Sequence, residues 1–242
     1  MSYQKFAYVY DELMSEAPYD LWIQFILKTL KQYRPEAYSV VDIGCGTGEI
    51  SIRLADLHYE VTGMDLSEEM LSIAQNKSTN VTWVHQDIRS FESPVRYDVA
   101  ISFCDVLNYI TEEEEIQKSF LQIYKQLQKD GLFVFDVHSE FYMNEVLANE
   151  TFAEVREEVS YIWFCDEGEY PSSVEHDLTF FIRDDHDSYR RFDEYHIQRT
   201  FPPEFYKSKA EEAGFRVLGI YSDFSTEELD EQGDRIFFVC SK

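Results

Sequence analysis

Basic side chains are scarce in this sequence of 242 residues. There are 21 Lys and Arg against 47 Asp and Glu, which gives a formal net charge of −26 at pH 7. A chain this acidic is repelled by nucleic-acid phosphates and by anionic membrane surfaces, and it has no basic cluster to offset that charge. We therefore expect no direct nucleic-acid partner and no membrane partner.

Other features are absent too. The four cysteines lie far apart without C-x-x-C spacing, which excludes a disulfide framework and is typical of a reducing compartment. The apolar run 21–30 is too short to cross a bilayer, and no signal-peptide pattern is visible at the start. The short glutamate runs have no histidine or aspartate at metal-ligand spacing. We therefore expect a cytoplasmic protein without a metal site.

Enough apolar material is present for a full core, with 44% hydrophobic and 16% aromatic residues. Between residues 38 and 138, apolar runs typical of buried strands alternate with helical patterns. This alternation predicts an α/β fold whose parallel sheet has helices on both faces in a doubly wound topology. Two later runs, 215–221 and 235–240, predict closing strands. The five earlier strand runs are 39–43, 60–64, 81–85, 97–104 and 132–137.

Residues 151–201 have a different pattern. Three runs of alternating polarity, separated by the turn-forming clusters DEGEYPSS and DDHDS, predict a three-stranded antiparallel sheet inserted after the fifth parallel strand. We therefore predict two domains. Residues 1–150 and 202–242 form the α/β domain, and residues 151–201 form the inserted sheet.

A strand, a glycine-rich loop and a helix follow one another in VVDIGCGTGEISIRLA, residues 40–55. Glycines let a ligand approach the main chain, and the following helix offers unpaired N–H groups at the carboxyl edge of the sheet. The dinucleotide-binding fingerprint G-x-G-x-x-G would need glycine at position 49, where this chain has Glu49. Asp42, two residues before the first glycine, disfavours a pyrophosphate and suits a ligand with an ammonium group.

Polar residues end the next two strands as well. Asp65 ends the second strand, where a carboxylate can accept hydrogen bonds from both hydroxyls of a ribose. The third strand ends in VHQDI, where Gln86, Asp87 and Ile88 can frame an adenine edge. Three consecutive strand ends therefore predict a cation site, a ribose site and an adenine site.

These residues resemble the class I S-adenosylmethionine-dependent methyltransferases over residues 38–138. The resemblance implies a Rossmann-like seven-stranded sheet with an antiparallel last strand, S-adenosyl-L-methionine as cofactor, and methyl transfer to a nitrogen or oxygen. The chain start and the inserted sheet are similar to amino-sugar N-methyltransferases and glycine N-methyltransferase-like enzymes. That similarity implies a small-molecule acceptor beneath a lid formed by residues 151–201. The predicted cofactor-binding residues are Tyr3, Tyr10, Asp42, Gly44, Cys45, Gly46, Gly48, Asp65, Leu66, Met70, Gln86, Asp87, Ile88, Phe103, Cys104 and Asp105.

Three residues are predicted as catalytic on the acceptor side. Tyr109 follows the fourth strand, where similar amino-sugar methyltransferases carry a histidine; a tyrosine is a weak base at neutral pH, so it can position the nucleophile. His138 follows the fifth strand. His196 lies in EYHIQR, which resembles an E-x-H-x-Q-R element near the lid of similar methyltransferases. Each of the three also has an ordinary interpretation, as a packing or solvent-exposed residue.

Alternatives stay open at this point. The sequence has no unambiguous general base, so an S-adenosylmethionine-binding module without catalysis is possible, as is a methyltransferase acting on RNA or ribosomal components through a partner. Glu49 and Asp42 disfavour a nicotinamide-dependent oxidoreductase. We expect a monomer or homodimer, and the sequence does not identify the acceptor. Lid carboxylates suggest a cationic or polar acceptor, although a solvated face explains them equally well. They are Glu154, Glu157, Glu158, Glu175 and Asp177.

Overall fold

The computed structural model describes residues 11, 13–14, 17–184, 188–225, 227, 229–230 and 232–242. None of the helices in that part of the chain combines the length and the apolar character needed to cross a membrane. Its α-helices are α1 (Tyr19–Tyr33), α2 (Glu49–Asp56), α3 (Glu68–Lys77), α4 (Glu113–Gln126) and α5 (Pro203–Glu212). Its strands are β1 (Ser39–Ile43), β2 (Glu60–Asp65), β3 (Thr82–His85), β4 (Tyr97–Ser102), β5 (Leu127–His138), β6 (Glu150–Val155), β7 (Val159–Glu167), β8 (Ser173–Arg183), β9 (Tyr189–Arg199), β10 (Arg216–Ser222) and β11 (Arg235–Ser241).

The main sheet has seven strands in the order β10-β11-β5-β4-β1-β2-β3. The pairs between β1 and β2, β1 and β4, β2 and β3, and β4 and β5 are parallel. The last strand, β11, runs antiparallel to both β5 and β10. The predicted fold class, a Rossmann-like doubly wound sheet with an antiparallel last strand, is confirmed.

Helices cover both faces of this sheet because successive strand residues point to opposite sides. On β1, Val40 packs into the core beneath α1 and α2, whereas Val41 packs into the core beneath α4 and α5. Burial on both faces is why these strands are nearly continuous apolar runs. Their carboxyl ends therefore meet at one edge, which leaves the polar residues at that edge to form a site.

The second sheet corrects one detail of the prediction. It has four antiparallel strands in the order β6-β7-β8-β9, rather than three. The sequence pattern merges β6 and β7 into a single run because only residues 156–158 separate them, and these residues are Arg, Glu and Glu rather than a glycine or proline turn. The assignment of residues 151–201 to a separate domain stays a prediction.

Candidate active site

A cavity of about 1080 Å³ lies at the carboxyl edge of the main sheet. Its walls come from the glycine loop and the ends of β2 and β3 on one side, and from residues of β7, β8 and β9 on the other. Sites for a single small ligand usually measure roughly 300–1,000 Å³. The cavity is therefore large enough for a nucleoside cofactor together with a second small molecule.

The glycine loop and the ends of β2 and β3 line one half of this cavity, which is the half predicted to hold the cofactor. Gly44 has φ +75°, and a Cβ there would lie 2.4 Å from a methyl carbon of Val106, so the position is sterically closed. Gly46 has φ +54°, and a Cβ there would meet no protein atom within 4 Å. The open space above Gly46 is thus a cradle in which a ligand can approach the main chain. Gly48, a predicted cofactor residue, does not line the cavity and faces the Trp83 ring instead.

Asp65 connects this loop to the end of β2. Its Oδ2 accepts a hydrogen bond of 2.8 Å from the Gly46 N–H, and its Oδ1 accepts one of 2.8 Å from the Ser67 N–H. Each carboxylate oxygen has further lone pairs, so the group can also accept from two ribose hydroxyls. The structure therefore places Asp65 at the cradle, and its two main-chain bonds fix the direction in which it points.

Asp42 is buried beneath the loop, with 3% of its surface exposed. Burial raises the pKa of Asp42 to about 7, and the nearby Asp65 adds to the shift, although the Ser51 hydroxyl donates to Oδ2 at 2.6 Å and opposes it. A desolvated carboxyl group of this kind gains its charge most readily when a cation binds beside it. This chemistry fits the ammonium group of S-adenosylmethionine.

The end of β3 and the turn that follows it form the wall that is predicted to face an adenine. Gln86 closes the turn through its amide, which donates to the Glu92 carbonyl at 3.1 Å and accepts from the Glu92 N–H at 3.0 Å. The carboxylate of Asp87 caps the short helix Ile88–Ser90 and pairs with the Arg89 guanidinium, which holds the pKa of Asp87 below its usual range. Both side chains line the cavity, together with Ile88.

Two described residues near the start of the chain, Asp11 and Leu13, contact the glycine loop and the cavity wall. The Thr47 hydroxyl donates to the carboxylate of Asp11, which also pairs with Lys77 at 2.6 Å. Leu13 lines the cavity and packs with Val159 of the second sheet. Tyr3 and Tyr10, the two tyrosines predicted to contact the cofactor, lie outside the described residues.

A buried ionic network of Arg235, Asp105 and Asp136 forms part of the cavity wall. Arg235 Nη2 lies 3.1 Å from Asp105 Oδ1, and its Nη1 lies 3.2 Å from Asp136 Oδ2. Asp136 also accepts from the Trp22 indole N–H at 2.6 Å and from the Asp105 N–H at 3.1 Å. Burial opposes the charges of Asp105 and Arg235, but their neighbours outweigh it. Arg235 and the hydrogen bond from Gln198 lower the pKa of Asp105, and the two aspartates raise the pKa of Arg235.

This network alters the interpretation of Asp105, a predicted cofactor residue. Besides Arg235, its Oδ2 accepts from Gln198 at 2.8 Å. Both carboxylate oxygens are therefore engaged by protein side chains, which fixes the orientation of Asp105 in the cavity wall, and its predicted contact with the cofactor stays a prediction. Phe103 and Cys104, from the same strand end, line the cavity as predicted contacts.

The half of the cavity that is predicted to hold the acceptor is lined by aromatic rings, by neutral polar groups and by the carboxyl group of Glu154. The rings of Tyr109 and His196 meet edge to face at 5.8 Å, and Gln198 interacts with Tyr109 as well as with Asp105. Burial raises the pKa of Tyr109, so its hydroxyl stays protonated at neutral pH. Burial lowers the pKa of His196, so its imidazole is neutral at neutral pH.

Two further histidines lie deeper in the wall. Burial lowers the pKa of both His138 and His176 to about 4. His138 stacks on the ring of Tyr142 at 4.6 Å, and its Nε2 lies 3.5 Å from Asp105 Oδ1. His176 accepts from the Trp163 indole N–H at 3.1 Å through Nδ1, so its proton is on Nε2. Low pKa values suit these two residues to fixed hydrogen bonding rather than to proton uptake at neutral pH.

The structure brings together all three predicted catalytic residues and most of the predicted cofactor residues around one cavity. Sequence reasoning missed a set of lining or supporting side chains, whereas Gln198 belongs to the E-x-H-x-Q-R element already noted. The missed residues are Trp22, Asp136, His176 and Arg235. For His176 a signal was available, because it alternates in register with the inward residues of β8 and lies opposite His196 on β9. Arg235 was detectable only as a charge at the start of an apolar strand.

The fold and this cavity define a class I methyltransferase architecture, and comparisons with known proteins agree. A family model described as "Methyltransferase domain" matches residues 40–131. A protein of Geobacillus sp. (strain WCH70) with the name "Putative methyltransferase GWCH70_2453" is 47% identical over 247 residues, covering 100% of this chain and 100% of that protein. A glycine/sarcosine N-methyltransferase of Aphanothece halophytica is 27% identical over 226 residues, covering 89% of this chain and 79% of that protein.

Solved structures give the same result. A S-adenosylmethionine-dependent methyltransferase from Clostridium acetobutylicum ATCC 824 superposes with a TM-score of 0.89 at 28% identity, covering 100% of this chain and 99% of that chain. CalS10, an amino pentose methyltransferase from Micromonospora echinaspora solved with S-adenosylmethionine bound, shares the fold with a TM-score of 0.79 at 19% identity, over 97% of this chain and 95% of that chain. This chain belongs to the S-adenosylmethionine-dependent methyltransferases, and the predicted family, enzyme class and cofactor are confirmed.

Proposed function

We propose that this enzyme methylates an amine nitrogen of a small molecule bound beneath the sheet of residues 151–201. The observation that carries the proposal is the continuity of the cavity. It runs without a dividing wall from the Gly46 cradle to Tyr109, His196 and the inward side chains of β7 and β8. The relative that acts on glycine and sarcosine, by its name, supports a nitrogen acceptor.

The residues that would hold the cofactor follow from the geometry. Asp65 and the Gly46 main chain would bind the ribose and Asp42 would pair with the ammonium group. Gln86, Asp87 and Ile88 would contact the adenine. When bound, the cofactor supplies an electrophilic methyl group on a sulfonium sulfur, so the bond from acceptor nitrogen to carbon forms while the carbon–sulfur bond breaks and the leaving group is neutral. Stabilisation of a developing anion is therefore not needed from the protein.

The protein's contribution is to orient the acceptor and to remove one proton. Aligning two bound reactants supplies several kcal/mol of barrier reduction, roughly 7–11 in the best cases. Tyr109, held by Gln198, orients the amine through its hydroxyl. His196 is neutral and accepts the proton that an ammonium group must lose before it can act as a nucleophile.

Two broader points belong to the same proposal. The described cysteines Cys45, Cys104, Cys165 and Cys240 are all free thiols, which supports a cytoplasmic location. The monomeric or homodimeric state stays a prediction, and size-exclusion chromatography with light scattering tests it.

The test is a product assay with the purified chain. The enzyme is incubated with S-adenosylmethionine carrying a deuterated methyl group and a panel of small amines and phenols, and mass spectrometry detects labelled products and S-adenosylhomocysteine. We expect label on amines, and a loss of at least about tenfold in kcat for His196→Ala. Label on phenols alone, or on RNA alone, contradicts the proposal.

A further inference from the structure

The charges lining the cavity are strongly unequal. Among the described residues that form its walls there are nine carboxyl groups, two guanidinium groups and no lysine. The carboxyl groups belong to Asp42, Glu49, Asp65, Glu69, Asp87, Asp105, Glu112, Glu115 and Glu154. Cations behind the wall pair with three of these groups: Arg53 and Lys77 with Glu49, Lys118 with Glu115, and Arg156 with Glu154. Carboxyl groups still outnumber all of these cations together, so the cavity stays negative even with a cofactor whose ammonium and sulfonium charges exceed its one carboxylate.

Both guanidinium groups are already committed to carboxylates. Arg89 pairs with Asp87 and lies 3.6 Å from Glu115. Arg235 lies 3.1 Å from Asp105 and 3.2 Å from the fully buried Asp136. The described part of the wall therefore presents no cation that could pair with an anionic group of a second ligand.

Histidines do not supply the missing charge. Three of the described histidines line the cavity, and burial lowers the pKa of each, to about 4 for His138 and His176, so that all three rings, including His196, are neutral at neutral pH. A carboxylate or phosphate entering this half of the cavity would lose its hydration without gaining an ionic partner, which is costly in a desolvated site.

A positively charged ligand, by contrast, finds favourable partners in this half of the cavity. Tyr161, Trp163 and Phe180 of the second sheet join Tyr109 and Tyr142 in an aromatic wall, and the faces of such rings attract ammonium groups. Glu154 lines the same space from β6, and its Oε1 pairs with Arg156 at 2.6 Å. Of the five lid carboxylates noted in the sequence, Glu154 alone is among the described lining residues.

We propose that the methyl acceptor is an organic cation, an amine with an apolar portion and without a carboxylate or phosphate group. The inference rests on the proposed function and narrows its substrate class. The amine arrives as an ammonium ion and loses one proton to His196. Its freed lone pair then forms the nitrogen–carbon bond as the carbon–sulfur bond breaks, leaving a neutral thioether.

Matched pairs of amines test this proposal. Each pair differs only by an anionic group: tyramine and tyrosine, agmatine and arginine, glucosamine and glucosamine 6-phosphate. Values of kcat/KM are measured with saturating S-adenosylmethionine. We expect the member without the anionic group to be preferred by at least about tenfold, the effect of one unit charge about 12 Å away at an effective dielectric constant of about 20.

The possible results separate the two claims. If the anionic members are methylated equally well or better, the proposed function stands and this inference is overturned. If no member of any pair is methylated although S-adenosylmethionine binds, both are overturned.

A matched pair of variants gives a second readout on the same sheet. Glu154→Gln removes a charge from the cavity wall but keeps an acceptor for Arg156, so we expect the preference for the cationic member to fall severalfold. Glu157→Gln is the control, because Glu157 lies on the turn after β6 with its side chain 82% exposed and pairs with Arg183. If the preference for the cationic member falls equally in both variants, or does not fall in Glu154→Gln, the inference that the cavity charge selects the acceptor is overturned.

Discussion

The Gly46→Ala substitution should weaken cofactor binding far more than it destabilises the fold. The added methyl group meets no protein atom within 4 Å, so the cost to the fold is limited to the left-handed backbone at φ +54°. That cost is about 1–2 kcal/mol for a non-glycine residue. For a domain of this size it corresponds to a fall in Tm of roughly 2–8 °C.

The effect on the cofactor should be much larger. The new Cβ projects into the cradle beside Asp65, whose Oδ2 accepts the Gly46 N–H at 2.8 Å. We expect the Kd for S-adenosylmethionine, measured by isothermal titration calorimetry, to rise at least about 100-fold, because a ligand cannot approach the main chain past a methyl group.

Gly44→Ala is the matched control in the same loop. Its Cβ would lie 2.4 and 2.5 Å from the two methyl carbons of Val106, at φ +75°. Backbone strain of about 1–2 kcal/mol and overpacking of about 1–3 kcal/mol predict a total loss of about 2–5 kcal/mol in the free energy of unfolding. Gly46→Ala binding the cofactor within threefold of the unchanged protein would refute the assignment of the cradle.

Three further predictions concern the polar groups around the cavity. Because the pKa of Asp42 is raised to about 7, its carboxyl group is protonated below that pH and cannot pair with an ammonium group. The affinity for the cofactor should therefore rise about tenfold from pH 6 to pH 8, and the Asp42→Asn variant should show no such rise. Arg235→Met leaves buried carboxylates without a partner and should lower the free energy of unfolding by about 3–5 kcal/mol in urea titrations; unchanged stability would contradict the network. The Gln198→Ala substitution removes the side chain that holds Tyr109 and should lower kcat about tenfold while leaving the Kd of the cofactor unchanged. A change in that Kd alone would argue against a positioning role for Gln198.

The features that the sequence predicts correctly are those fixed by neighbouring residues. The strand, loop and helix around Gly44 and Gly46 are adjacent in the chain, and each parallel strand carries its own apolar run. Since parallel strands end at one edge of a sheet, the order of strands and loops is enough to bring Asp42, Asp65 and Asp87 to the same site.

The features that escape prediction depend on contacts between distant residues. Trp22 donates to Asp136 across 114 positions, and Arg235 reaches Asp105 across 130 positions. No local pattern encodes such pairs. The fourth strand of the second sheet escapes for a different reason: β6 and β7 are joined by three charged residues, which carry none of the usual glycine or proline turn signals.

Asp65 offers the most direct test of the account, because it joins the glycine loop to the ribose side of the cofactor site. Calorimetric titration with S-adenosylmethionine should show saturable binding to the unchanged protein and at least about 100-fold weaker binding to Asp65→Ala, since two hydrogen bonds to a charged acceptor are lost. Asp65→Asn, which keeps one acceptor oxygen, should fall between the two. Binding to Asp65→Ala within threefold of the unchanged protein would contradict the account of the cofactor site.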